Sequence, residues 1–257
     1  MKTPPYSVAS VDVVRLPGAD EERDAVAVEE PLELRIGGRP VAVTMRTPGH
    51  DEELALGFAL TEGLRPRSAR VPDDLAANTI ELEADGAVEP RSFYTTSSCG
   101  VCGKGALEAV RVEAPPVESD LRVGHGVLAG LPDRLRKAQA AFETTGGLHA
   151  TGLFDERGAL RFAREDVGRH NAMDKVVGRA FLDGLLPLTR HVLCVSGRLS
   201  FELVQKAAVA QCPILVAVGA PSSLAVELAR EQRITLCGFV REGRLNVYSE
   251  PGRIGVD

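Results

Sequence analysis

Alternation of apolar and polar residues marks the first third of the chain. Residues 32–36 place leucine and isoleucine between charged residues, Gly37 and Gly38 follow, and residues 41–45 repeat the alternation. This pattern predicts a β-hairpin. Acidic residues then follow His50, with apolar residues at helical spacing behind them, which predicts a helix. Residues 64–78 have a loop composition and residues 79–83 a strand pattern, so the first 90 or so residues predict a small α+β unit.

The pattern changes from about residue 125. Short apolar runs such as 214–218 alternate with amphipathic segments, which is typical of a largely buried sheet covered by helices. Predicted helices span 128–142, 171–182, 199–210 and 222–231. Predicted strands span 159–163, 191–195, 213–218 and 234–240, and residues 245–248 predict an edge strand that turns back around Glu242 and Gly243.

These patterns predict three parts: a small α+β domain (1–94), a loop and linker that carries a cysteine pair (95–124), and an α/β domain with a central sheet covered by helices (125–257). Thirty basic and thirty-six acidic residues give a net charge of −6, which is not typical of a nucleic-acid-binding protein. The longest aliphatic run has five residues, far fewer than a membrane span needs. With no apolar leader pattern near Met1, we expect a cytoplasmic protein.

The most distinctive chemical motif is Cys99-Gly-Val-Cys102, set among serine, threonine and glycine residues. Lys104 lies close enough in sequence to favour the thiolate form, which is the nucleophile. A structural zinc site would need two further ligands, for which His125 and His149 are candidates. A dithiol–disulfide exchange site and a persulfide carrier fit the motif equally well. The motif alone does not rank the last two.

Other polar residues have both a structural and a functional interpretation. Asp166, Arg169 and His170 precede a predicted helix, where they could bind a phosphate or form a capping network. Ser222 or Ser223 is expected to cap the helix that follows. The remaining cysteines lie in or beside apolar runs, so we expect them in the core: Cys194, Cys212 and Cys237.

Six blocks of sequence, in order, resemble the formate dehydrogenase accessory (FdhD/NarQ) family. They are residues 97–103 (SSCGVCG), 146–152 (GGLHATG), 165–175 (EDVGRHNAMDK), 195–207 (VSGRLSFELVQKA), 220–229 (APSSLAVELA) and 238–248 (GFVREGRLNVY). The resemblance extends from about residue 30 to the end of the chain.

The resemblance implies a sulfurtransferase that accepts persulfide sulfur from a cysteine desulfurase. It would deliver that sulfur to the bis(molybdopterin guanine dinucleotide) molybdenum cofactor needed by formate dehydrogenase. Cys99 matches the persulfide-bearing cysteine, with Cys102 as its companion. The cofactor-contacting segment falls on Phe239, Val240, Arg241, Glu242, Gly243 and Arg244. A cytidine-deaminase-like, three-layer C-terminal domain and a homodimer are also implied, with no permanently bound metal.

Two other functions are compatible with the sequence. The first is a cofactor-binding chaperone for the apo-dehydrogenase, in which the cysteine pair is structural or redox-active. The second is a thiol–disulfide reductase. Deamination is not expected: Thr151 stands where a zinc deaminase needs its glutamate after His149, and the cysteine pair precedes this histidine instead of following it.

Overall fold

A computed structural model describes residues 7–18, 20–72, 78–85 and 111–255. The N-terminal elements are β1 (Val8–Arg15), β2 (Asp20–Ala27), β3 (Glu30–Ile36), β4 (Arg39–Arg46), α1 (Asp51–Thr61), β5 (Arg65–Arg70) and β6 (Thr79–Asp85). β1 and β2 form a separate antiparallel ribbon, and the other strands form a four-stranded sheet in the order β4-β3-β6-β5. The predicted hairpin of β3 and β4 and the predicted helix α1 are confirmed.

The predicted loop at 64–78 is wrong at 65–70, because Arg65–Arg70 forms the edge strand β5. Residues 71 and 72 have no regular structure, as predicted, and 73–77 lie outside the described residues. An edge strand tolerates Pro66, and a register shift between Pro66 and Ser68 accommodates it. Arg67 also binds the carboxylate of Asp85 at the end of β6. The ribbon of β1 and β2 was not predicted, since charged residues in β2 conceal any strand alternation.

The C-terminal half contains eight further strands and six α-helices among the described residues. They are β7 (Val123–Gly124), α2 (His125–Ala129), α3 (Leu131–Lys137), α4 (Ala140–Thr145), β8 (His149–Phe154), β9 (Leu160–Asp166), α5 (Arg169–Leu182), β10 (Val192–Val195), α6 (Phe201–Val209), β11 (Ile214–Ala217), α7 (Ser223–Glu231), β12 (Thr235–Arg241), β13 (Arg244–Ser249) and, after a 3₁₀ turn at Pro251–Arg253, β14 (Ile254–Gly255). β14 pairs with β7.

The six-stranded sheet has the order β13-β12-β11-β10-β8-β9. One face packs against α5, α6 and α7 through a large apolar cluster, and the other face packs against α2 and α3 through residues such as Leu128 and Leu135. The mixed α+β fold with a helix-covered central sheet is therefore confirmed. The predicted edge strand at 245–248 is confirmed as β13.

The single helix predicted at 128–142 is wrong, because this stretch forms three short helices. Gly130 ends α2 and precedes α3, and Pro132 lies in the first turn of α3, where its missing N–H removes no helical hydrogen bond. Gln139 then leaves helical geometry with ψ at 73° and separates α3 from α4. Strand β8 was also not predicted.

The two halves of the chain meet where α1 crosses α5 with their backbones in contact. A Cβ atom added to Gly57 would lie 1.8 Å from the carbonyl oxygen of Asp174, and one added to Gly178 would lie 1.8 Å from that of Glu53. Only glycine at these two positions allows the two helices to approach each other this closely. The Glu53 carboxylate also accepts a 2.7 Å hydrogen bond from Arg164 of β9, which ties the small sheet's helix to the large sheet.

Candidate functional site at the carboxyl edge of the large sheet

Four strand ends and one strand start meet along one edge of the six-stranded sheet. β10, β11 and β12 are mutually parallel, and β9 shares their direction because both β9 and β10 are antiparallel to β8. Their carboxyl ends therefore lie together, and His149, the first residue of β8, lies beside them. Ligands of open α/β sheets bind at this edge.

Backbone forms the middle of this edge. A Cβ atom added to Gly219, after β11, would lie 2.9 Å from the carbonyl oxygen of Gly197, which follows β10. A Cβ on Gly238 would lie 3.1 Å from the carbonyl oxygen of Gly219. A Cβ on Gly197 would lie 3.3 Å from His149 Nδ1. We name these three glycines the glycine row. Because they have no Cβ atom, the backbones near the ends of β10, β11 and β12 can lie close together.

An exposed aromatic residue marks one end of the glycine row. Phe239 has a φ of +53°, an unfavourable conformation for a residue with a bulky side chain. Its N–H donates to the carbonyl oxygen of Gly219 at 3.1 Å, and 43% of its surface is exposed. A non-glycine residue held in this region is a marker of functional constraint.

The rest of the predicted cofactor-contacting segment forms the tip of the β12–β13 hairpin. Val240 is fully buried in the core, so its side chain faces away from any ligand at the surface. Arg241 and Arg244 pair across the tip, and Glu242 and Gly243 turn the chain with φ of +51° and +74°. All four tip residues are exposed, so two guanidinium groups and one carboxylate face solvent next to Phe239.

Asp166, at the end of β9, is a structural residue. It is fully buried, and its carboxylate accepts hydrogen bonds from Gly168 N and Asn171 Nδ2 at 2.8 and 3.1 Å. The same carboxylate pairs with buried Lys175 Nζ at 2.7 Å. Of the two interpretations of this segment, the structural one therefore holds for Asp166 and Asn171, as a hydrogen-bond network that fixes the turn at Gly168 and not as a side-chain cap of α5.

Arg169 and His170 lie in the first turn of α5 and, with His149, form a group that we name the edge cluster. Arg169 Nε is buried and has no hydrogen-bond partner among the described residues. His170 Nε2 lies 2.7 Å from Glu202 Oε2, and this hydrogen bond lowers the pKa of Glu202. Burial lowers the pKa of His149, and the charges of Arg169 and His170 lower it further.

The sequence suggested Arg169 and His170 as site residues, but His149 only as a possible zinc ligand. Gly197 and Gly219 each follow an apolar strand, and Gly238 lies within β12. That these glycines lie next to one another and to His149 is visible only in the structure. Ser222 caps α7 by accepting a hydrogen bond from Ala225 N at 3.2 Å, as expected.

The cysteines divide into two groups. Cys99 and Cys102 lie outside the described residues. Cys194, Cys212 and Cys237 lie in the core, as predicted. Burial raises the pKa of the Cys194 thiol above its usual range and that of Cys212 and Cys237 to about 12. Neutral, buried thiols are poor nucleophiles.

The described residues on either side of 86–110 both approach the end of α1. Asp85 pairs with Arg65 in the small sheet. Val112 donates its N–H to Gln205 Oε1 of α6 at 2.9 Å, and a Cβ atom on Gly63 would lie 3.2 Å from its side chain. Cys99 is thirteen residues from Val112, so its tether can span at most about 45 Å.

A model of the FdhD/NarQ family matches residues 27–255. The chain belongs to this family. Sulfur carrier protein FdhD of Streptomyces avermitilis is 51% identical over 91% of this chain and 90% of its own length. The protein of the same name from Saccharolobus solfataricus is 42% identical over 96% of this chain and 98% of its own.

One solved structure extends the FdhD/NarQ assignment to the fold. The crystal structure of a proposed formate dehydrogenase accessory protein from Desulfotalea psychrophila has a TM-score of 0.76 and 28% identity. The match covers 96% of this chain and 98% of that chain. No helix in the described part of this FdhD/NarQ chain has the length and apolar character of a membrane span.

Proposed function

We propose that this protein is a sulfur carrier that accepts persulfide sulfur on Cys99 and delivers it to a nucleotide-bearing molybdenum cofactor for formate dehydrogenase. The observation that carries the proposal is the burial of the other thiols. Three of the chain's five cysteines are sealed in the core with raised pKa values. Cys99 and Cys102 remain as the pair for sulfur chemistry, and curated relatives at about half identity carry the name sulfur carrier protein.

Loading of sulfur is a thiol exchange. The Cys99 thiolate attacks the outer sulfur of a persulfide on a cysteine desulfurase, the donor's S–S bond breaks, and the donor cysteine leaves as thiolate. A persulfide now stands on Cys99, and no net oxidation has occurred. Splitting delivery into two such transfers lowers the barrier of each.

Release of the sulfur as sulfide needs two electrons. When the Cys102 thiolate attacks Cys99 Sγ, the persulfide bond breaks and hydrosulfide leaves toward the cofactor. A Cys99–Cys102 disulfide remains, so the two protein thiols supply the electrons. A small-molecule thiol then reduces that disulfide for the next cycle.

The carboxyl edge of the large sheet is the proposed docking place for the cofactor. Phe239 offers an exposed ring for stacking a purine base, and Arg241 and Arg244 offer guanidinium groups next to it. The homodimer remains part of the proposal.

Reconstitution of formate dehydrogenase tests this function. Apo-dehydrogenase, cofactor, a cysteine desulfurase and cysteine are combined with wild type, Cys99→Ala, Cys102→Ala or Cys212→Ala, and formate oxidation is measured. We expect loss of activation with Cys99→Ala and normal activation with Cys212→Ala. Cys102→Ala should slow activation from the first turnover, because an external thiol must then attack Cys99 Sγ to release the sulfide. Full activation by Cys99→Ala would overturn the proposal and favour a cofactor-binding chaperone.

A further inference from the structure

The ribbon of β1 and β2 stands apart from both the four-stranded and the six-stranded sheet. A two-stranded ribbon is only marginally stable in water unless it packs against something else. Its base does pack: β2 lies against α4, the N–H of Val28 donates to Ser7 O at 3.0 Å, and a Cβ atom added to Gly147 would lie 3.7 Å from that of Ala27. Beyond this base, most residues of both strands are exposed.

Large apolar side chains are exposed along the ribbon. Leu16, directly after β1, is 80% exposed, and Val14 is 56% exposed. Val11 and Val26 are exposed on one face of the ribbon, because Ala9 lies opposite Val26 and Val11 follows two residues later. Single exposed apolar residues are common on protein surfaces, but a group of them on one element marks an interaction site.

The ribbon is also acidic. Residues 8–27 carry five acidic and two basic side chains. Both arginines are paired within the ribbon, for example Arg15 with Glu22 at 2.6 Å. Asp20 and Glu21 have no ion-pair partner among the described residues, and they lie opposite the end of β1, next to Leu16. An exposed leucine beside unpaired carboxylates is complementary to a basic protein surface that surrounds an apolar pocket.

The base of the ribbon adjoins the carboxyl edge of the large sheet. Gly147, which contacts Ala27, is two residues before His149, where β8 begins at that edge. A protein bound to the ribbon is therefore close to the carboxyl edge. In the proposed function, the dehydrogenase must come to this edge to receive the cofactor, whereas the sulfur donor needs access only to Cys99.

The ribbon also lies almost wholly before the part of the chain that matches the FdhD/NarQ family model, which begins at residue 27. Sulfur chemistry common to a family is expected to reside in the matched part. An element outside it is suited to select a particular partner protein.

We propose that the end of the ribbon, formed by Val14, Leu16, Asp20 and Glu21, docks apo-formate dehydrogenase through a basic surface of that enzyme which surrounds an apolar pocket. This inference rests on the proposed function, because it names where the protein that accepts the cofactor binds. Leu16 enters the apolar pocket, and the carboxylates of Asp20 and Glu21 face the basic residues around it.

Binding of purified apo-formate dehydrogenase to the full chain tests the docking surface. Association and dissociation are measured by biolayer interferometry at low and at physiological salt for wild type, Leu16→Ser, Val14→Ser and Glu21→Lys. We expect Leu16→Ser to weaken binding about tenfold or more, mainly through faster dissociation, because a buried leucine contact is lost. Glu21→Lys should slow association, and more so at low salt.

Two control variants have matched chemistry outside the ribbon. Val71→Ser removes an apolar side chain that is 65% exposed after β5. Glu118→Lys reverses the charge of an exposed acid before β7. Both should bind the apo-dehydrogenase as wild type does. Thermal unfolding of each variant confirms that it is folded.

Three results would overturn the docking surface. The first is no binding of apo-dehydrogenase by wild type, and the second is wild-type affinity in folded Leu16→Ser and Val14→Ser. The third is an effect of these variants only on sulfur loading by the desulfurase or on the solution mass of the protein, which would assign the ribbon to the sulfur donor or to a second copy. Loading of Cys99 is measured separately by mass spectrometry, so normal loading without ribbon-dependent docking leaves the carrier function intact.

Discussion

Helix α5 carries two polar clusters that differ in how completely their atoms are paired. In its middle, the inner ion cluster consists of Asp174 with Lys206 of α6 and Thr61 of α1. Lys206 Nζ lies 2.8 and 2.9 Å from the two Asp174 oxygens and 2.9 Å from Thr61 Oγ1. At the start of α5, the edge cluster retains an unpaired Arg169 Nε among the described residues and a histidine whose pKa is lowered.

The comparison separates polar residues that are fully paired within the protein from polar residues that are not. The inner ion cluster connects three helices, and each charge has its counter-charge in place, so it fixes how the N-terminal unit sits on the large sheet. In the edge cluster, His170 contacts Glu202 at 2.7 Å and Ser200 at 3.3 Å, but Arg169 Nε has no partner among the described residues. Asp174 of the inner ion cluster and Arg169 and His170 of the edge cluster all fall in the same block of sequence, 165–175, and only the structure tells their environments apart.

The largest expected effect is on the inner ion cluster. Asp174→Asn leaves the Lys206 ammonium buried without a counter-charge and should lower the free energy of unfolding by about 3–5 kcal/mol. Urea denaturation followed by circular dichroism measures this. Adding Lys206→Met removes the unpaired ammonium charge, so the double variant should be more stable than Asp174→Asn. A loss below about 1 kcal/mol in Asp174→Asn would mean that this cluster does not hold the helices together.

A second effect concerns acid stability at the α1–α5 crossing. Burial alone would raise the pKa of Glu53, but hydrogen bonds from His50 and Arg164 outweigh burial and lower it from 4.5 to about 2. A lowered carboxylate pKa contributes stability above pH 4.5 that is lost as the pH falls toward 2, here at most about 3 kcal/mol.

Glu53→Gln should therefore flatten the decline of stability between pH 4.5 and 2 relative to wild type. Urea midpoints measured across this pH range give the difference. Parallel curves for the two proteins would show that Glu53 carries no such contribution.

The third effect tests the backbone contact between the same helices. Gly178→Ala forces a methyl group into the carbonyl of Glu53, and overpacking of this kind costs about 1–3 kcal/mol. Gly252→Ala is the matched control, because nothing lies within 4 Å of the added Cβ. Melting temperatures of the two variants should differ clearly. Equal stability would mean that the helices can separate without cost.

The smallest effect on stability is expected at the edge cluster, where the comparison is sharpest. Arg169→Gln removes a side chain whose Nε has no partner in the described chain, so the free energy of unfolding should change by no more than about 0.5 kcal/mol. Formate dehydrogenase activation should nevertheless fall. If Arg169→Gln instead destabilises the protein as strongly as Asp174→Asn, the edge cluster is structural and the contrast between the two clusters disappears.

Much of the fold follows from local patterns. The β3–β4 hairpin and the alternation of strands and helices from β9 to β13 were predicted because apolar periodicity is strong there. β5 and the ribbon of β1 and β2 were not predicted, because arginines and acidic residues interrupt the alternation of apolar and polar residues there. Pairing with neighbouring strands decides their structure. One helix was predicted at 128–142 because its apolar pattern is continuous, but Gly130 and Gln139 interrupt the helical backbone.

The candidate site was predictable only in part. The cysteine pair is a local motif, so sequence sufficed to single out Cys99 and Cys102. Phe239, His149 and Arg169 are separated in sequence and lie along the same edge only because parallel strands end at one edge of a sheet. No local pattern encodes that proximity. The pairing of Asp166, likewise, depends on Thr47 and Lys175, one of them from the other half of the chain.

Peptide mass spectrometry after incubation with a cysteine desulfurase and free cysteine tests the central claim most directly. Wild type, Cys99→Ala, Cys102→Ala and Cys212→Ala are digested, and each cysteine peptide is examined for an added sulfur. The account predicts an added sulfur on the Cys99 peptide of wild type, Cys102→Ala and Cys212→Ala, and none in Cys99→Ala. If Cys99 gains no sulfur while the desulfurase turns over, or if sulfur accumulates on a buried cysteine instead, the carrier account is contradicted.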